Sequence, residues 1–425
     1  MSAGRTMTSK ILARAASAAS VETGDVITAR VQVLTVADTE RFIDFMNTHS
    51  LRVWDPNRIV FCFDHMFEDW LPSAAIRNHP KIRRFAEVQG IPEENIYGVG
   101  RGGLSHQVPV EEGWILPGTV SPGADTQAAT MGAMNCFAIP TLSSGTTSVV
   151  LTGELWQVVP ECVSLRLEGS LPKGILGKDV VYRLIKDLGG LLHGRVIEVS
   201  GPGVAALPID VRMAIANGAI QMGAQTIIFP PDQRLLDYLK PRARASFDPV
   251  SPDSDAQYAA TYEYDLGGFE CLISGPHEID RIRPLSELAG LPVTAAYIGS
   301  CSSGRLEDLA LAAQVLRNRK IHPSVRMVVT PISATVERQA EANGILQTFR
   351  AAGVVVTSPG CGACYHGNTS PLKLGDGERC ITASVENLAG RMGSASAEIY
   401  LGNAAVVAAS AIDGQLTQPA VYLKR

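Results

Sequence analysis

The chain lacks long apolar runs. The longest are strand-length, so no transmembrane helix is expected. Basic residues near the N-terminus are not followed by an apolar stretch, so no secretory signal is expected. A basic excess is also missing. The 37 Lys and Arg against 42 Asp and Glu leave a formal net charge of −5, which argues against a nucleic-acid surface or a polybasic membrane patch. The eight cysteines have no regular short spacing, so a reducing, cytoplasmic setting suits them better than a disulfide scaffold. The glycine-rich piece Gly98-Val99-Gly100-Arg101-Gly102-Gly103 has no Walker lysine and no strand–glycine–helix context. It reads as a loop and not as a phosphate cradle. No fixed-period repeat and no low-complexity tract is present.

What is there is strand–helix alternation over a length too great for one core. At 425 residues two or three domains are expected. A β-like stretch is read from Val26 through Leu34, with a buried strand over 59–63 and another over 96–100. Helices are read over 10–19, 38–46, 76–90 and 128–137. A second unit starts near Glu161, with strands over 163–169 and 195–199 and helices over 179–188 and 209–223. The Pro-, Ser- and charge-rich stretch 240–255 reads as a loop or hinge. A third unit begins near Leu285. The fold class is therefore α/β, with expected domains 11–160, 161–284 and 285–425.

Cys361 and Cys364 form a Cys-x-x-Cys pair, which alone could be a redox pair, half a zinc site or two buried thiols. A zinc site needs a second pair at ligand spacing, and none is present. A thioredoxin-like pair belongs at a helix start, whereas this one sits in a Gly-rich turn after the apolar run 352–356. Cys301 likewise follows an apolar run, 293–299. Three thiols thus lie at the carboxyl ends of two predicted strands, where open α/β sheets hold ligands. Three soft thiolates suit a metal cluster with one iron open to substrate.

At these residues the chain resembles the large subunits of the aconitase-type hydro-lyases, in layout those of the 3-isopropylmalate dehydratase type. The family pattern Gly-Ser-Cys-Thr-Asn-Gly-Arg-x-Glu-Asp is matched, with small substitutions, from Gly299 to Asp308. Thr-Cys-Gly-Pro-Cys is matched from Gly360 to Cys364. The similarity runs from about Ile11 onward. It implies three aconitase-type domains around a cluster-binding cleft, with a 4Fe-4S cluster on Cys301, Cys361 and Cys364. His366 is not expected to be a ligand, because the family leaves that iron open.

Other expected site residues follow from the same resemblance. An Asp-His dipeptide taken alone reads as a surface turn. Here Asp64-His65 ends a strand, and the resemblance implies that the pair handles the departing hydroxyl. His106, in Gly-Leu-Ser-His-Gln, and Asp125, in Gly-Ala-Asp-Thr-Gln, match a second His and Asp that are neighbours in the family. By the same resemblance Asn217 and Arg305 are expected to bind substrate, and Arg391 matches a retained anchoring arginine. The departures fall on substrate-facing groups. Thr126 and Gln127 replace Ser-His, Gln221 replaces a Glu, Ser303 replaces an Asn, and Glu386 replaces an Arg. A carboxylate has no equivalent of arginine's bidentate fork. The expectation is therefore retained chemistry on a hydroxy acid other than citrate or 3-isopropylmalate. Glu386 is expected to stand unpaired in the site.

In the family the base is a serine on a separate swivelling domain. The chain ends at Arg425, where the third domain is expected to end, so a small swivel-domain subunit is the expected partner. The alternatives are a non-catalytic paralogue and an RNA-binding one. The acidic balance and the missing basic stripe weigh against the latter.

Overall fold

The structure is a computed structural model that describes residues 4–38, 42–65, 72–364 and 370–423, with side chains left aside for 72–76. Its frame is three sheets. The first has five parallel strands in the spatial order Ile96–Tyr97, Ile59–Cys62, Leu34–Ala37, Val120–Ala124 and Phe137–Pro140. The second has four parallel strands, ordered Thr226–Ile228, Val196–Ser200, Cys162–Glu168 and Ala260–Asp265. The third has seven, ordered Ile282–Pro284, Leu272–Ser274, Glu398–Leu401, Arg379–Thr382, Ala295–Ile298, Arg326–Val329 and Val355–Val356. Leu272–Ser274 runs antiparallel to both its neighbours, and the pairings from Glu398–Leu401 onward are parallel. Val26–Arg30 and Glu154–Val158 form a separate antiparallel ribbon.

In the first and third sheets the strand order reverses at a definite point. The first grows one way from Leu34–Ala37 and then the other way from Val120–Ala124. The third does the same from Ala295–Ile298 and Arg379–Thr382. Such reversals leave a crevice at the carboxyl ends of the strands. Side-chain alternation along Ile59–Cys62 explains how the units join. Ile59 and Phe61 pack into an outer cluster, while Val60 and Cys62 enter a core that continues through the second and third sheets. Among the described residues no helix is long and apolar enough to cross a membrane.

The structure departs from the sequence expectations in identifiable places. The β stretch from Val26 splits after Arg30, because Val31 donates to Gly153 and Gln32 to Val120, so pairing passes from the ribbon to the first sheet. The expected helix over 128–137 is a 3-10 helix, Ala128–Met134, followed by a strand. Asn135 ends it in a left-handed turn (φ 61°), its side chain bonded to Phe229 O, Val250 O and Val250 N. The stretch 240–255 has no helix or strand but is strapped down. Arg14 pairs with Asp248 at 2.8 Å and Lys10 with Asp253 at 2.6 Å. Leu272–Ser274 and Ile282–Pro284 were expected to lie in the second unit, yet they hydrogen-bond into the third sheet. The change of sheet therefore falls between Asp265 and Leu272.

Candidate active site

The fully buried strand Ile59–Cys62 delivers Asp64 and His65 at its carboxyl end. Asp64 Oδ1 lies 2.6 Å from His65 Nδ1, and Oδ2 accepts from the Ser105 amide at 2.9 Å. The His65 amide donates to Asp38 Oδ1 at 3.1 Å, and Asp38 Oδ2 meets His79 Nε2 at 3.1 Å. Burial alone would lower the His65 pKa. The charge and hydrogen bond of Asp64, with Asp125 and Asp38 behind them, override it and raise the pKa to about 10. His65 is thus an imidazolium at neutral pH.

Asp125, just past the strand Val120–Ala124, stands between two histidines. His65 Nε2 is 3.9 Å from its Oδ2, and His106 Nε2 is 3.7 Å from its Oδ1. The Gln127 amide donates to Asp125 Oδ1 at 2.7 Å. His106 sits in the loop after Ile96–Tyr97, which is pinned to the third unit through Leu104 N on Ile332 O and Ala334 N on Gly102 O. Burial lowers the His106 pKa to about 4 despite Asp125, so this imidazole is neutral. Its Nδ1 is buried and has no hydrogen-bond partner among the described residues. One cationic and one neutral histidine thus flank a single carboxylate, their charge states set apart by environment.

The third sheet supplies thiols to the same cleft. Cys301 lies in the short helix Ser300–Ser303 after Ala295–Ile298, entered through a left-handed Ser300 (φ 66°). Cys361 and Cys364 follow Val355–Val356. All eight cysteines are free, and these three line a cleft of about 350 Å³ with His65, His106, Asp125, Thr126, Gln127, Glu386 and Arg391. Burial, then the charge of Cys364, pushes the Cys301 thiol up to about 12. A hydrogen bond between Cys361 and Cys364 raises the first and lowers the second, and Arg391, with Nη2 3.9 Å from Cys364 Sγ, favours the thiolate there. Full deprotonation of the three therefore calls for a cation among them.

The loops are held in place by backbone contacts. The Cys361 amide donates to Asp64 O at 2.9 Å, and Tyr297 Oη donates to Cys361 O at 3.0 Å. Gly362 has φ 61°, and a Cβ there would lie 2.3 Å from Tyr297 Oη and 2.5 Å from Thr330 Oγ1. Gly362→Ala is expected to destabilise the fold by about 2 kcal/mol or more through strain and overpacking, read as a lowered denaturation midpoint.

Two expected site residues stand back from the cleft. Arg305 is fully buried behind it, with Nε on Gln107 Oε1 at 3.0 Å and Nη1 on Cys301 O at 2.8 Å. Asn217 donates to Thr130 Oγ1 at 2.9 Å and lines a small adjoining pocket with Lys178, Tyr182 and Gln221. Glu386 lines the cleft, but it is not unpaired: its Oε2 is 3.3 Å from Arg391 Nη1. His366 lies outside the described residues. Sequence reasoning missed Lys178, whose buried ammonium reaches Ser302 Oγ at 3.2 Å, Ala383 O at 3.1 Å and Ser384 O. Its signal was a Lys-Asp pair opening an amphipathic helix, which without a structure reads as a solvated helix start.

Comparisons with known proteins agree with this geometry. The Aconitase family (aconitate hydratase) matches residues 64–290 and 281–414. The chain is 39% identical over 425 residues to 3-isopropylmalate dehydratase large subunit 1 of Methanopyrus kandleri, covering 99% of this chain and 100% of that one. It is 39% identical over 377 residues to the probable methanogen homoaconitase large subunit of Methanosarcina mazei, covering 88% and 94%. With the 3-isopropylmalate dehydratase large subunit of Aquifex aeolicus it shares 35% over 434 residues, covering 99% and 98%. The chain therefore belongs to the aconitase family of hydro-lyases, in the form that these relatives carry as a large subunit.

Proposed function

We propose that this chain is the catalytic large subunit of an iron–sulfur hydro-lyase acting on a hydroxy acid. The observation that carries the reading is the meeting of three free thiols with His65, His106 and Asp125 in one cleft, with Asp64 buried beside it on His65 Nδ1. The donor set fits a 4Fe-4S cluster. Three buried soft ligands share one cleft, and Arg391 beside Cys364 offsets thiolate charge. Cys301, Cys361 and Cys364 would hold it. When bound, such a cluster offers a Lewis-acidic iron for a substrate hydroxyl and carboxylate.

The chain's own residues supply the proton chemistry. His65 Nε2 carries a proton it can give to a departing hydroxyl oxygen. Asp64 keeps the ring charged and fixed through Nδ1. Asp125 spans His65 and His106 and orients both. The base that removes the proton next to the carboxylate is assigned to a small partner subunit, a reading supported by the large-subunit names of the relatives. The thiols and both Asp–His pairs weigh against the non-catalytic and RNA-binding alternatives.

Substrate choice follows from Arg391. Its guanidinium faces Glu386 and Cys364, so its charge is offset within the chain before a substrate carboxylate arrives. A hydroxy acid with fewer carboxylates than citrate, or with a neutral or amino group facing Glu386, fits this wall better. The test is anaerobic reconstitution, co-expression with the small subunit of the same organism, and a panel of hydroxy acids. Turnover is expected only with the small subunit, and it should be poor on citrate and 3-isopropylmalate. Glu386→Arg should lower the KM of a tricarboxylate by about tenfold, since it frees Arg391 and adds a second fork. Efficient 3-isopropylmalate isomerisation by the unmodified protein would refute the altered-substrate reading.

A further inference from the structure

Lys178 belongs to the second unit, yet its side chain ends at the two loops that frame the thiols of the third. The helix Gly177–Leu188 packs so closely on Ile209–Asn217 that a Cβ on Gly177 would lie 2.8 Å from both Ala214 Cβ and Val211 O. The helix start is also clamped to the third unit. Asp179 is fully buried, and its Oδ2 accepts from the Leu176 amide at 2.9 Å and from Asn403 Nδ2 at 2.7 Å. Lys178, 4% exposed, is thereby held with its ammonium on Ser302 Oγ, Ala383 O and Ser384 O. Ser302 adjoins Cys301. Ser384 precedes Val385 and Glu386, both of which line the cleft.

None of these three acceptors is charged. Arg391, the other cation of the thiol centre, is instead paired with a carboxylate. A buried ammonium bonded only to neutral oxygens is stabilised by negative charge nearby, and Cys301 and Cys364 act on it ahead of the carboxylates of Asp308 and Asp179. We infer that Lys178 is a positioning residue whose buried charge raises the reduction potential of the group held by Cys301, Cys361 and Cys364. This rests on the iron–sulfur reading proposed above. A fixed positive charge near a cluster stabilises its more reduced, more negative state. The hydrogen bonds to Ser302 and to the 383–384 carbonyls hold the loops that carry this effect.

The experiment compares wild type, K178Q and K178R as full chains reconstituted anaerobically with iron and sulfide. Glutamine keeps a donor for the same carbonyls but removes the charge. Arginine keeps the charge. Reduction potential is read by titration followed with electron paramagnetic resonance. Iron release to a chelator is followed by absorbance. K178Q is expected to have a more negative potential and to lose iron about tenfold to a hundredfold faster, the usual scale for an outer residue that supports metal ligands. K178R is expected to keep the wild-type potential even if its melting temperature falls, which a purely structural role would not give. Asn403→Ala, which loosens the helix clamp without removing charge, should lower the melting temperature and leave the potential in place. A wild-type potential in K178Q overturns the inference, as does a K178R potential displaced as far as that of K178Q. If the wild-type chain takes up no iron and sulfide, the cluster assignment itself fails and takes the inference with it.

Discussion

Replacing any one of Cys301, Cys361 or Cys364 with serine is expected to abolish the brown colour of the anaerobically reconstituted protein and its turnover. Iron and sulfide should fall from about four of each per chain to a residual trace. The reason lies in the donor set. Each thiol lines the cleft, each is buried, and a serine hydroxyl is too hard and too weakly acidic to replace a thiolate. Cys162→Ser and Cys271→Ser are the controls. Both thiols are buried, but Cys162 accepts from Thr6 Oγ1 at 3.7 Å beside the second sheet, and Cys271 accepts from Asn403 Nδ2 at 3.9 Å. Neither lines the cleft. Loading of wild type should also improve as pH rises, because burial pushes the Cys301 thiol up to about 12 and its proton must leave on metal binding. Full iron content in a Cys361→Ser protein would remove that residue from the ligand set.

His65→Asn is expected to lower kcat by roughly 10²- to 10⁴-fold, the usual range for losing a positioned general acid. It should leave the cluster's absorbance intact. A pH–rate profile of the reconstituted complex checks the assignment. With the pKa raised to about 10, the acid form persists through neutral pH and is lost only as pH rises toward 10. A limb near pH 7 assigned to this group would overturn the role. Stability runs in the same direction. The folded pKa lies above the ordinary value of about 6.5, so the stabilisation from the ring is complete below pH 6.5 and is lost as pH rises through 10. The substitution also leaves Asp64, a fully buried carboxylate, without its cation. An unpaired buried charge of this kind costs about 3–5 kcal/mol, so a lowered denaturation midpoint should accompany the kinetic loss.

Much of this was legible in the sequence, and the rest was hidden for physical reasons. Parallel strands buried on both faces read as short apolar runs, so Ile59–Cys62 and Ala295–Ile298 were visible, and with them the residues at their ends. Cys301, Cys361, Cys364, His65, His106 and Asp125 were placed together by the family resemblance, and the structure adds that they lie beyond strands of two sheets with a reversal point. Side-chain pairing was not visible. Nothing in the order Glu386 to Arg391 says that the two meet, and the pairing changes how the substrate wall is charged. Nor does a sequence reveal that Arg305 turns inward to the Cys301 carbonyl. Lys178 was hidden for the same reason, since a lysine at a helix start is ordinarily solvated and only docking of the third unit buries it. The change of sheet before Leu272 was missed because a three-residue antiparallel strand carries almost no periodic signal.

The hydrogen bond from the Cys361 amide to the Asp64 carbonyl joins two points far apart in the chain. The first two sheets are built from strands close in sequence, and the parallel body of the third sheet from strands within the last third of the chain. Secondary structure can therefore mature locally, whereas this contact waits for the first and third units to close on one another. Until they do, the cysteine loop has no histidine opposite it, and the thiols stand open to oxidants. The reactive centre is thus expected to be completed only after the sheets that carry it. Helix and strand content can outlast it, so a far-ultraviolet spectrum is a poor proxy for a competent enzyme.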